Sequence, residues 1–196
     1  MGEERIALWI EEEEKRQGMI AEKSGISDPV GKRLAVSASQ YITERASTGG
    51  QSIMAGFPYF ADWGRDTMIS LPGCTLAIGE YEECKSILRT FMAYTKEGLM
   101  PNLFPEGDAL PMYNTVDAAL LFLDVVYEYY LETGDLEFVC EAFPVMEDIV
   151  FWYQKGTDFH IKMDSDGLIM AGGGLEQVTW MDVRIDKELP TPRHGN

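Results

Sequence analysis

Several common functions lack raw material in this chain. Of 196 residues only two are histidine, His160 and His194, and three are cysteine, Cys74, Cys84 and Cys140. No Cys-x-x-Cys pair occurs, so a disulfide framework and a zinc site have no support, and a histidine-based triad would rest on two residues. Reduced, half-buried thiols on helices are the expectation. Basic residues are also scarce: 16 Lys and Arg stand against 33 Asp and Glu, a net charge of −17. Binding nucleic acid or an anionic membrane needs clustered Lys and Arg, which this balance argues against. A neutral partner such as a sugar is compatible with it. No apolar run approaches the ~20 residues of a membrane helix. The opening Met-Gly-Glu-Glu-Arg lacks the basic-then-apolar order of a signal peptide. A cytoplasmic protein with no metal and no cofactor is expected.

What is present is a chain of helical patterns. Residues 1–27 form an acidic lead-in: Glu11 to Glu14 precede Lys15 and Arg16, which suits a solvated helix with side-chain pairs one turn apart. Asp28-Pro29 marks a helix start, and apolar residues at helical spacing predict that it runs past Ile42 towards Thr48-Gly49-Gly50. A loop over 51–66 follows. A second helix leads away from Asp66, with Pro72 near its first turns. A third spans Glu80 to Glu97 and stops at Gly98. Thr115 is a credible cap for a fourth, Ala118 to Leu131, apolar nearly all round and therefore buried on most sides. Asp135 caps a fifth, running to about Gln154 and bent at Pro144. A β-hairpin is expected over 159–170, where Phe159 to Met163 alternates and Asp164-Ser165-Asp166-Gly167 turns. That turn lacks the later ligands of a calcium loop. The glycines Gly172 to Gly174 lack the Lys-Ser/Thr pair of a phosphate cradle.

Helices joined by alternating short and long loops make an all-α, helix-on-helix array, and sites live on long loops held by a rigid scaffold. The functional face should carry loops 51–66, 98–117 and 171–193. Trp63-Gly64-Arg65-Asp66 combines an aromatic face for the C–H side of a sugar with donors and acceptors for its hydroxyls. The alternative is that Asp66 caps a helix and Arg65 pairs with a surface carboxylate. Asn114 and Asp117 are exposed or aimed into the same cleft, and Asp117 serves the helix dipole or a ligand. Asp182, in Thr179-Trp180-Met181-Asp182, sits among bulky apolar neighbours that can raise a carboxyl pKa for general-acid work. A loop aspartate making local backbone bonds is the competing account. Glu176 competes for the acid role, and Asp186 is a weaker second carboxylate.

Taken in order, Ala55-Gly56-Phe57-Pro58-Tyr59-Phe60, Asp62-Trp63-Gly64-Arg65-Asp66-Thr67, Tyr113-Asn114-Thr115-Val116-Asp117-Ala118, Thr179-Trp180-Met181-Asp182 and Thr191-Pro192-Arg193-His194-Gly195 resemble the glucosidase domain of glycogen debranching enzymes, akin to glucoamylases. The resemblance spans residues 28–196 and implies an (α/α)6 toroid, here as a partial ring, with inverting hydrolysis of α-1,6-linked glucose in α-glucans. By motif, Asp182 resembles the general acid, and Arg65 with Asp66 resembles the pair gripping the terminal glucose. Trp63, Asn114, Asp117 and Trp180 resemble further substrate-binding residues. Five or six helices stand where the family has twelve, and the family's catalytic base lies downstream of residue 196. The resemblance therefore implies an inactive half-ring fragment that self-associates through open apolar helices. Another α-glucosidase or trehalase on the same fold, or a non-catalytic carbohydrate-binding module, is the alternative.

Overall fold

The computed structural model describes residues 3–57, 59–103, 110–173, 176, 178–181 and 185–186. It is mostly helical. Helix α1, Glu3–Lys23, carries the acidic lead-in, where Arg16 forks onto Glu13 with Nε and Nη2 at 2.7 and 2.8 Å. Most of its surface faces solvent. Its dock is Ile20, buried against Ala35 and Ile78. Helix α2, Pro29–Ser39, begins as its sequence dictates: the Asp28 carboxylate accepts from the backbone N–H of Val30 and Gly31, with proline at the first helical position.

The chain then departs from the periodicity. The helix stops at Ser39, and β1, Ile42–Arg45, pairs antiparallel with β2, Gly50–Ile53, in the register Ile42↔Ile53 to Arg45↔Gly50. Two causes act here. Ile42 and Thr43 are β-branched, which favours a pleated strand. Arg45, 2% exposed, must also reach a buried carboxylate at Asp62.

Helix α3, Gly64–Cys74, holds Pro72 in its last turn rather than its first, so the proline helps end the helix. A short 3-10 turn, Leu76–Ile78, leads to α4, Tyr81–Ala93, which ends four residues before the predicted Glu97. Glu97 and Gly98 instead form a left-handed turn at φ 49° and 75°. Packing dictates the glycine: a Cβ at Gly98 would lie 2.5 Å from Cβ of Trp152.

Helix α5, Ala118–Thr133, is the central element, and Gly134 ends it in the left-handed conformation. Its Ala118, Ala119, Phe122, Val125, Val126 and Tyr129 are buried, while Leu120, Tyr127, Tyr130 and Leu131 are exposed. Burial on most sides is thus incomplete. Helix α6, Leu136–Lys155, continues through Pro144. Strands β3, Lys162–Met163, and β4, Ile169–Met170, form a hairpin shorter than expected, because Phe159 and His160 adopt left-handed backbone at φ 58° and 56°.

The core is the seam where α3, α4 and α6 surround α5: Met68, Leu71, Ile87, Leu88, Phe91, Phe122, Tyr129, Phe138 and Ile149 are all essentially inaccessible. Each large apolar side chain so buried stabilises the fold by about 1.5–3 kcal/mol before entropy is counted. Polar ties fix how α4 meets α6: Arg89 grips Glu141 through two bonds of 2.7 and 2.6 Å, and Lys85 reaches Asp135 at 2.9 Å. Cys84 is buried, Cys74 half-buried and Cys140 exposed, all as free thiols. Among the described residues no helix is long and apolar enough to cross a membrane.

Candidate functional site

The long loops meet at the start of α3. After β2 the chain makes a tight turn, in which the N–H groups of Tyr59 and Phe60 both bond the Gly56 carbonyl, and Ala55 N–H bonds the Ala61 carbonyl. Asp62 is buried and accepts from Arg45 Nε at 3.1 Å and Ser52 Oγ at 2.7 Å. Its carboxylate therefore ties the turn to the β1–β2 hairpin.

Trp63 is extended (φ −127°, ψ 131°) and bridges to Leu103, which in turn bridges to Met112. Gly64 N–H donates to the Asn102 carbonyl at 2.8 Å. The backbones are so close there that a Cβ on Gly64 would lie 2.0 Å from the Pro101 carbonyl oxygen. At Gly64 the chain turns from strand to helix, and successive side chains diverge: Arg65 goes inward and Asp66 outward.

Arg65 is 6% exposed. Its Nε donates to Asp117 Oδ2 at 2.6 Å and its Nη2 to Thr115 Oγ1 at 3.2 Å, while the Thr115 hydroxyl donates to the other Asp117 oxygen. Asp117 opens α5 without capping it by its side chain. Thr115 is likewise engaged with Arg65 and Asp117 rather than with the helix end. Of the accounts open for Arg65, pairing with a carboxylate is the one observed, though with a half-buried one. Val116, between them, is held from two sides: Tyr153 Oη donates to its carbonyl at 2.7 Å, and its N–H donates to the Val178 carbonyl at 2.9 Å. Burial, helped by the nearby Asp117 carboxylate, pushes the Tyr153 phenol well above its usual range, so it stays a donor.

The second bond carries the 178–181 segment to the head of α5 and brings Trp180 to the same place. Ala55, Phe60, Trp63, Arg65, Asp66 and Trp180 line one cleft of about 370 Å3, within the ~300–1,000 Å3 of small-molecule sites. Phe60 and Trp63 meet edge to face, with centroids 6.3 Å apart. Asp66 does not cap α3. Its carboxylate makes no hydrogen bond or ion pair with any described residue and is exposed in the cleft. A carboxylate unpaired among the described residues, lining one cleft with a fixed guanidinium and two indole rings, is suited to a polyhydroxylated ligand.

Of the residues singled out by sequence, Trp63, Arg65, Asp66 and Trp180 come together in this cleft. Asn114 and Asp117 are not among its described lining residues, and Asp117 reaches it only through Arg65. Glu176 is not among the described lining residues of the cleft, and its Oε2 lies 2.9 Å from Nδ1 of His160, just before β3. Asp186 is exposed in left-handed backbone. Asp182, with residues 187–196, lies outside the described residues. Sequence reasoning did not find the pairing of Arg45 with Asp62 or of Arg65 with Thr115; the two-residue spacing of Thr115 and Asp117 was the available signal for the latter. Larger hollows of about 560 and 510 Å3 lie elsewhere, lined in part by Glu44, Gln51 and Glu83, and by Pro72, Tyr81 and Glu132. Neither gathers the residues of the loop motifs. No group of metal-ligating side chains occurs among the described residues.

Comparison with known proteins points to the same family as the sequence resemblance. A glycogen debranching enzyme of Saccharomyces cerevisiae (strain ATCC 204508 / S288c) is 33% identical over a 228-residue alignment, which covers 83% of this chain and 15% of that protein. The chain thus spans a small part of its relative's length. The family model described as amylo-alpha-1,6-glucosidase matches residues 36–196, nearly everything from α2 onward, including the cleft and the segment that follows it. With that match over most of its length, the chain belongs to the amylo-alpha-1,6-glucosidase family.

Proposed function

We propose that the cleft between Trp63 and Trp180 is the glucosyl pocket of an inverting α-1,6-glucosidase acting on branch points of glycogen-like α-glucans, within an (α/α)6 toroid. The observation that carries this reading is the convergence of Trp63, Arg65, Asp66 and Trp180, from loops more than a hundred residues apart, on one cleft. The indole faces take the apolar side of the sugar ring. Asp66 accepts from its hydroxyls, and Arg65 donates to them.

In this reading Asp182, two residues beyond Trp180, is the general acid that protonates the leaving glycosidic oxygen. Inversion requires a second carboxylate about 6.5–9.5 Å away, activating water on the opposite face of the sugar. Glu176 is poorly suited to either role, since its carboxylate is engaged by His160.

The test is Asp182→Asn in the intact enzyme, assayed for glucose release from branch-stub oligosaccharides. A general acid contributes roughly 10²–10⁴-fold, so a loss of that size is expected. Wild-type turnover in the variant would remove Asp182 from the mechanism. Following the released anomer by NMR checks inversion, and linear α-1,4 glucans and trehalose as competing substrates check the linkage.

A further inference from the structure

We infer that Thr115 and Asp117 are positioning residues: they set the guanidinium of Arg65 for one hydroxyl of the bound sugar and do not touch the sugar themselves. This deepens the glucosyl-pocket reading and rests on it.

An arginine has five N–H donors in a rigid planar fork. Two are consumed inward, Nε by Asp117 and Nη2 by Thr115. The Thr115 hydroxyl in turn holds the second Asp117 oxygen, so the carboxylate cannot rotate away from the guanidinium. Arg65 makes no further hydrogen bond among the described residues, and it lines the cleft. The remaining donors are therefore those that meet a ligand, and their direction is set entirely from behind.

The clamp itself has little freedom. Tyr153 from α6 and Val178 from the Trp180 segment hold the two backbone groups of Val116, the residue between Thr115 and Asp117. Asp117 also starts α5, its carbonyl accepting from Leu121 N–H at 2.8 Å. Three elements thus fix the geometry of one side chain. A polar group aimed at a hydroxyl from a preorganised shell discriminates strongly against an analogue lacking that hydroxyl, because the donor is then left unpaired.

The experiment measures binding of glucose and its 2-, 3-, 4- and 6-deoxy analogues to the 196-residue chain by ligand-observed NMR. The proteins are wild type, Arg65→Lys, Asp117→Asn and Thr115→Val, each checked by circular dichroism for a native melt. In the wild type, one deoxy sugar should bind about tenfold more weakly than glucose. Arg65→Lys, Asp117→Asn and Thr115→Val should all shrink that one discrimination to within about twofold, leaving the rank order of the others intact. Should Asp117→Asn fail to fold, Thr115→Val carries the same test.

Asp117→Asn or Thr115→Val weakening glucose and all four analogues by a common factor would overturn the positioning role. So would a loss of discrimination at a hydroxyl different from the one lost in Arg65→Lys, since that would place Asp117 on the sugar. Both outcomes leave the glucosyl pocket standing. A wild-type chain that binds none of these sugars would instead overturn the pocket reading and this inference together.

Discussion

Gly64 stands where no side chain has room. Its missing Cβ lets the start of α3 press against the Pro101 carbonyl, and its N–H completes the bridge to Asn102. A methyl group there meets only backbone, that of Pro101 and Asn102, so the strain has no flexible side chain to absorb it. Gly64→Ala should cost about 1–3 kcal/mol, the usual range for overpacking a tight site, read as a lowered urea midpoint. The same displacement moves Arg65 off Asp117, so sugar binding should fall even where the variant remains folded. The sequence marked Trp63-Gly64-Arg65-Asp66 as a corner by residue type alone. It could not supply the reason for the glycine, because the atom that forbids a side chain belongs to Pro101, 37 positions later. For the same reason Asp117 read as dipole partner or ligand. Its actual partner, Arg65, is remote in sequence and adjacent only once α3 and α5 have packed.

At the scale of elements, local signals were sufficient where a helix end is satisfied by its own neighbours. Asp28 and Asp135 both cap as read, the latter accepting from Phe138 N–H at 3.0 Å. They failed where a distant residue decides. The helical spacing of residues 30–42 continues smoothly into what is β1, and beside the β-branched Ile42 and Thr43 it is the buried Arg45–Asp62–Ser52 network, closed by a distant residue, that requires a strand there. Asp135 also links three helices, taking bonds from Lys85 Nζ at 2.9 Å and Tyr129 Oη at 3.0 Å. The lysine above all, then the cap bond, hold its carboxyl down to about 2 from an ordinary 3.8. A carboxyl lowered by folding adds stability above its unfolded pKa and loses it as protons bind the native state. The contribution of Asp135 is thus complete above about pH 4 and fades towards pH 2. Thermal melts across that window should show Asp135→Ala starting lower than wild type at pH 5 and falling less steeply with acid, the two curves converging near pH 2. Parallel curves would mean that Asp135 is not the group that titrates.

For the whole molecule, the balance lies between apolar surface and charge. Leu136, Phe143 and Val150 recur every seven residues on α6, which puts them on one helix face, and all three are exposed. On α5, Tyr127 and Leu131 are exposed one turn apart. Exposed apolar residues gathered on a helix face can seek a partner, and we propose that these faces drive self-association. Opposing this is the net charge of −17, which makes two copies repel. The two forces respond oppositely to salt. Repulsion between surface charges reaches about 10 Å at 0.1 M ionic strength and about 3 Å at 1 M, whereas apolar burial does not weaken as salt rises. Sedimentation velocity should therefore show a mass near that of the 22.0 kDa monomer at low ionic strength and a larger, concentration-dependent one as salt increases. Phe143→Glu, placing a charge in the middle of the α6 face, should restore the monomer at every salt concentration. A species that stays monomeric in high salt at tens of micromolar would mean that these faces are too small or too interrupted by glutamate to pair, and that exposure alone does not make them interfaces.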